Sequence, residues 1–119
     1  MHARLISFSG ADSEKRDQMI RTIQDTVIPT LREYDGFLGY LSFFDADNQR
    51  AKAVLLWENE EQAEAAEETL VERRRQMAGG VGLTVEAAEL YEVLVVAGAR
   101  PIEGVGTSIA AFVGLASGE

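Results

Sequence analysis

Two rhythms of apolar and polar residues alternate along this chain of 119 residues. HARLISFSGAD reads as a first strand, closed by a glycine and an aspartate. The period then lengthens over DSEKRDQMIRTIQDTVIPTLREYDG. Ile20, Ile23, Val27, Leu31 and Tyr34 recur at helical spacing and form one apolar stripe. Asp12 or Ser13 supplies an N-cap, and Glu14 adds negative charge to the first turn. Pro29 inside the pattern removes a backbone hydrogen bond and predicts a kink, and Gly36 predicts the end. FLGYLSFF and AKAVLLW follow as two strands, joined by the turn chemistry of DADNQR into a hairpin. ENEEQAEAAEETLVERRRQM is a second helix, with acids crowding its first half and Arg73, Arg74 and Arg75 near its end, as the helix dipole favours. Ala63, Ala66, Leu70 and Met77 give it a thin apolar stripe, and Gly79 and Gly80 predict its stop. LTVEAAELYEVLVV is a last strand.

The order is strand, helix, strand, strand, helix, strand. That is the ferredoxin-like βαββαβ sandwich, an α+β fold. YLSFF, AVLLW and VLVV are apolar on both faces. Two helices cover one face of a four-stranded sheet, so the other would carry Leu, Phe and Val into water. A second copy packed face to face about a two-fold axis is the simplest cover. The expectation is a homodimer through the open sheet face, a dimeric α/β barrel. The alternative is that the chain's own C-terminal tail folds over that face.

Composition narrows the function classes. The chain is 46% hydrophobic and 26% charged, with a formal charge of −9 from 20 acidic and 11 basic residues. No nucleic-acid or anionic-membrane partner is expected, since phosphate binding needs Lys and Arg gathered on one face. With no cysteine, disulfides, thiolate metal sites and cysteine catalysis are excluded, and a cytoplasmic location fits. The start, MHARLISFSGADSEKR, has neither the basic opening nor the apolar run of a signal peptide, and no stretch is long and apolar enough to span a bilayer. GGVG precedes a strand, so it fails the context of a dinucleotide-binding loop. No metal site is expected.

YDGFLGYLSFFD after the kinked helix, and AVLLWENEEQAEAAEE, where a strand's Trp leads into an acidic helix start, carry a resemblance. From Met1 to about Ala97 the layout resembles the dimeric α/β-barrel proteins of the antibiotic biosynthesis monooxygenase (ABM) type. The resemblance implies one of three roles: a cofactor-independent oxygenase acting on aromatic polyketides, a haem-degrading enzyme, or a barrel without known activity. Haem-degrading members carry an Asn on the first strand and a His near the end of the second helix. Here those places read Ser7, Phe8, Ser9 and VERRRQMAGG, and the one histidine is His2, so haem degradation is not expected. What remains is a cofactor-independent monooxygenase-like protein holding a small aromatic or polyketide-type substrate between sheet and helices, or a barrel that binds something without such chemistry or binds nothing. Such an enzyme needs a dry pocket and a base, and no cofactor.

Four residues are candidates for that site. Trp57 matches the family's Trp at the end of the third strand and would stack on substrate beside Phe8; the alternative is a core Trp closing a barrel end. Tyr40 would donate a phenolic hydrogen bond, or else be a core residue with its hydroxyl at the rim. Glu92 interrupts LYEVLVV, in register with Leu90 and Leu94. Among apolar neighbours a carboxylate becomes a stronger base, as deprotonating a phenol requires; alternatively it pairs with a cation such as Arg4 or is exposed at an edge. The cluster Arg73 to Arg75 is either a solvated helix end or a clamp for an anionic ligand.

Residues 98–119 stand apart as a Gly-rich apolar arm after the domain 1–97. Ile102, Val105, Ile109, Phe112, Val113 and Leu115 are large and apolar, and so call for a docking surface on a dimer partner or another protein. RPIEGVGTSIAAFVGLA also resembles a stretch near the N-terminus of contractile phage-tail sheath proteins, although no sheath domain follows. The competing reading of the whole chain is therefore a non-catalytic dimeric module whose arm mediates oligomerisation or partner docking.

Overall fold

A computed structural model describes residues 1–98. The arm 98–119, apart from Gly98, lies outside the described residues, as does the stretch carrying the sheath resemblance. The elements are β1 (His2–Ser9), α1 (Arg16–Thr22), α2 (Ile28–Leu31), β2 (Phe37–Asp45), β3 (Arg50–Trp57), α3 (Glu60–Gly80) and β4 (Thr84–Glu92). They form one antiparallel sheet in the order β2-β3-β1-β4, with the helices on one side. This is the ferredoxin-like α+β fold expected from the order of elements. No helix among the described residues is long and apolar enough to cross a membrane.

The strand registers sort the side chains into two sets. His2, Arg4, Ile6 and Phe8 of β1 pair with Trp57, Leu55, Ala53 and Ala51 of β3, and this set faces the helices. The core gathers there, around Ile6, Leu31, Ala53, Leu55, Trp57, Ala63, Ala66 and Leu70. The intervening positions, among them Leu5, Leu41, Phe43, Val54 and Tyr91, point the other way. Phe43 and Tyr91 are about half exposed there.

The first helical segment departs from the expected regular helix. Asp12 caps a 3-10 turn (Ser13–Lys15) by accepting from the backbone N–H groups of Glu14 and Lys15 at 3.0 and 3.2 Å. Between α1 and α2 runs a π-helical turn (Ile23–Val27), in which the Ile28 N–H donates to the Ile23 carbonyl. Pro29 explains where the turn sits. It has no N–H for the carbonyl four residues back, and its ring would collide with that carbonyl in a regular helix. The π turn absorbs the mismatch just before it, so the predicted kink is a wider turn. One consequence corrects the sequence stripe. Ile20 is 37% exposed, whereas its neighbour Met19 faces inward. Gly36 follows a loop after α2 at φ +83°, where a Cβ would run into Gln62.

Two other boundaries shift. α3 continues through Gly79 and Gly80, and the chain turns at Gly82, whose φ of +76° is the left-handed conformation that ends helices. Lys15 Nζ ties that turn to the end of β1, donating to the carbonyls of Gly10 at 2.8 Å and Gly82 at 3.0 Å. β4 ends at Glu92, with one further ladder bond from Val93 N–H to the Met1 carbonyl at 2.9 Å. The expected strand continuation through Val96 is thus unpaired beyond Val93 among the described residues, and Leu94 and Val95 are exposed.

Candidate functional site

The arch formed by α1, the π turn and α2 spans the sheet without collapsing onto it. Beneath it lies a cavity of about 780 Å³, counted out to its open mouth. Its wall is mainly apolar: Ile6 and Phe8 from β1, Met19, Ile23, Val27 and Leu31 from the arch, Ala53 and Leu55 from β3, and Leu70 and Met77 from α3. A concave, mainly apolar lining with a few convergent polar groups is the usual character of a small-molecule site.

A small polar group interrupts the apolar wall. Tyr40 and Ser42 alternate on β2, so both point toward the helices, and Arg74 reaches in from α3. Burial pushes the Tyr40 phenol up to about 12, against the opposing pull of the Arg74 charge and of a hydrogen bond with Ser42. Tyr40 is therefore a neutral hydrogen-bond donor at ordinary pH. Among the described residues, no carboxylate and no histidine line this cavity. The acids of this −9 chain are directed elsewhere.

Arg74 is 8% exposed, and a guanidinium so buried needs a partner. Glu67 provides it with two parallel hydrogen bonds of 2.8 Å. Glu67 Oε1 also lies 3.7 Å from Nε of Arg4, which is 6% exposed under α3 and donates to Glu64 at 2.8 Å. Two buried arginines and two glutamates thus cross from β1 to α3. Glu67 takes two of the five N–H groups of Arg74, one from each Nη.

The structure brings together two of the four expected site residues. Phe8 and Tyr40 both line the cavity. Trp57 does not. It is 1% exposed in the core, edge-on to Phe37 at 5.7 Å and to Tyr34 at 6.4 Å between ring centroids. Glu92 also lies outside the cavity wall. It ends the edge strand opposite His2 and is exposed, so the expected apolar surroundings are missing. Nor does it pair with Arg4, whose partners are Glu64 and Glu67. Arg74 was expected in a cluster that is either a solvated helix end or a clamp for an anionic ligand. Only Arg73 and Arg75 are exposed, and the spacing 63, 66, 70, 74 and 78 of buried residues on α3 shows why.

No family model matches the chain, and no curated protein matches it. Solved structures do. A monooxygenase from the ActVA-Orf6 gene of Streptomyces coelicolor, in complex with nanaomycin D, aligns over 85% of this chain and 92% of its own, with a TM-score of 0.60 and 14% identity. SnoaB, a cofactor-independent oxygenase from Streptomyces nogalater, aligns over 80% and 94%, with a TM-score of 0.54 and 15% identity. HapK from Hahella chejuensis aligns over 85% and 100%, with a TM-score of 0.59 and 13% identity. The chain shares their fold. At these identities the likeness concerns the backbone, and the chemistry must be argued from the cavity itself.

Proposed function

We propose that this protein is a cofactor-independent monooxygenase-like enzyme, and that its substrate is a small phenolic aromatic of polyketide type held under the arch. The observation that carries this reading is the donor group of Tyr40, Ser42 and Arg74 set into an apolar wall without acids. Such a wall stabilises a phenolate or enolate and repels nothing. The fold shared with two oxygenases supports the same reading.

The chemistry uses electrons from the substrate. Loss of the phenolic or enolic proton spreads negative charge onto a ring carbon. That carbon reduces oxygen and forms a carbon–oxygen bond. The peroxide then loses water as its oxygen–oxygen bond breaks, leaving a quinone. For an anthrone, one oxygen molecule gives one anthraquinone and one water. Arg74 and the Tyr40 hydroxyl would hydrogen-bond the substrate oxyanion, and Phe8 would pack on the ring. Trp57 supports the wall from behind without touching the ligand. Glu92 has no part in this arrangement, and the proton leaves to solvent at the open mouth.

A second copy covering Leu5, Leu41, Phe43, Val54 and Tyr91 completes the proposed assembly as a homodimer. A non-catalytic reading has one observation in its favour: Leu94 and Val95 leave β4 exposed and lead toward the apolar arm, which suits docking to a partner. Oxygen uptake by the full chain with 1,8-dihydroxyanthrone, without added flavin, nicotinamide or metal, separates the two. The enzyme reading expects one oxygen consumed per anthraquinone formed. Uptake no faster than that of buffer, with anthrones and naphthols alike, favours the docking module.

A further inference from the structure

The cavity wall contributed by the arch depends on one residue that does not line it. An α-helix turns about 100° per residue, and a π turn carries one extra residue, so the face beyond it lags by about 100°. Met19 and Leu31 are twelve positions apart. In a regular helix their side chains would diverge by about 120°; with the lag they diverge by about 20°. The structure has the second arrangement. Leu31 is buried, Met19, Thr22 and Ile23 line the cavity, and Ile20 lies outside it. A regular helix would present the sequence stripe instead, with Ile20 inward and Met19 turned away.

We propose that Pro29 is a specificity-determining residue: by fixing the π turn, it selects Met19 and Thr22 rather than Ile20 as the cavity wall, and so sets which aromatic ligands fit. This rests on the cavity being the substrate site, as proposed above. Pro29 is exposed and touches no ligand, so it acts through the helix register. The wall it selects is deliberate in chemical terms. Met19 is unbranched and adapts to a flat ring, and Thr22 brings a hydroxyl, whereas Ile20 is stiff and β-branched.

The same geometry gives a rescue. Pro29→Ala lets the arch return to a regular helix with its inner face rotated. Deleting the exposed Asp25 from that variant removes the extra residue and restores the register by length alone. Two readouts apply to the full chain. Methionine oxidation by dilute peroxide, followed by mass spectrometry, reports which way Met19 faces and needs no ligand. Calorimetric binding of 1,8-dihydroxyanthraquinone reports the wall.

In Pro29→Ala, Met19 is expected to lose its protection, and the probe to bind about tenfold more weakly, the scale of one or two misplaced methylenes in an apolar pocket. The deletion should restore both in the same background. General loosening of the fold would not be repaired by a further deletion. Unchanged protection of Met19 in Pro29→Ala, or no recovery on deletion, overturns the proposal. Failure of the wild-type chain to bind the probe counts against the substrate-site reading, while Met19 protection still decides the register.

Discussion

Arg74 and Glu67, seven positions apart on α3, are joined by two hydrogen bonds of 2.8 Å, Nη1 to Oε2 and Nη2 to Oε1. The pair faces the sheet two turns apart along one helix face, with the guanidinium in the cavity wall and the carboxylate behind it. Removing the carboxylate alone leaves a buried charge unpaired. Glu67→Gln should therefore lower stability by about 3 kcal/mol in urea unfolding. Exchanging both partners, Glu67→Leu with Arg74→Met, should recover most of that loss, because an apolar pair of similar volume fits the same site. A double variant less stable than Glu67→Gln would show that the pair does more than neutralise itself.

Tyr40 predicts an alkaline transition. Its folded value is raised to about 12 from 10.0, so the folded state holds the phenolic proton more tightly than the unfolded chain does. The stability gained is fully present below pH 10 and is lost as the pH rises through about 12. The amount is about 3 kcal/mol. Unfolding measured across pH 9 to about 12.5 should show this decline, and Tyr40→Phe should flatten it. Absorbance titration of the wild type should show tyrosine ionisation well after the unperturbed range, and Tyr40→Phe should remove its last step.

Trp57 and Phe8 should separate stability from binding. Trp57→Ala should cost about 3–5 kcal/mol, as expected for a fully packed Trp. Trp57→Phe, which keeps most of the edge-on packing, should cost much less and leave ligand affinity within about twofold. Phe8→Ala removes a ring from the cavity wall and should weaken binding of 1,8-dihydroxyanthraquinone by about tenfold. Affinity that follows Trp57 instead would put the ligand elsewhere.

Glu92→Gln should leave oxygen uptake within about twofold of wild type, because an exposed carboxylate at the end of an edge strand supplies no base to this cavity. Tyr40→Phe should reduce it by about a hundredfold, the scale of losing one donor to an oxyanion. The reverse order of effects would return the base role to Glu92.

The strand order and the sheet were legible because each strand is short, apolar and bounded by turn residues. Asp12 marked the start of the first helical segment for a local reason that the sequence states directly, whereas that helix stops at Leu31, earlier than the expected end at Gly36, which instead precedes β2. Three things were not legible. The extra residue of the π turn leaves no trace in the spacing of Ile20, Ile23, Val27 and Leu31, which fits a regular helix. Arg74 occupies an apolar-face position, four residues after Leu70, but in RRR its neighbours disguise it as solvent-facing. Trp57 read as a strand-end residue and Glu92 as an interruption inside an apolar strand, and both looked close to a site. Which one packs inward depends on β3 being central and β4 being an edge, a tertiary fact.

The most direct test of the account is the acidity of a phenol inside the cavity. Burial in an apolar wall alone raises a phenol's pKa, whereas donors aimed at its oxygen lower it. The absorbance of 1-hydroxyanthraquinone, titrated free and bound to the full chain, reads that sign. The account predicts that the bound phenol ionises about one pH unit lower than the free one, and that Arg74→Met abolishes the shift. A bound phenol that ionises higher than the free one, in wild type as in the variant, would contradict it.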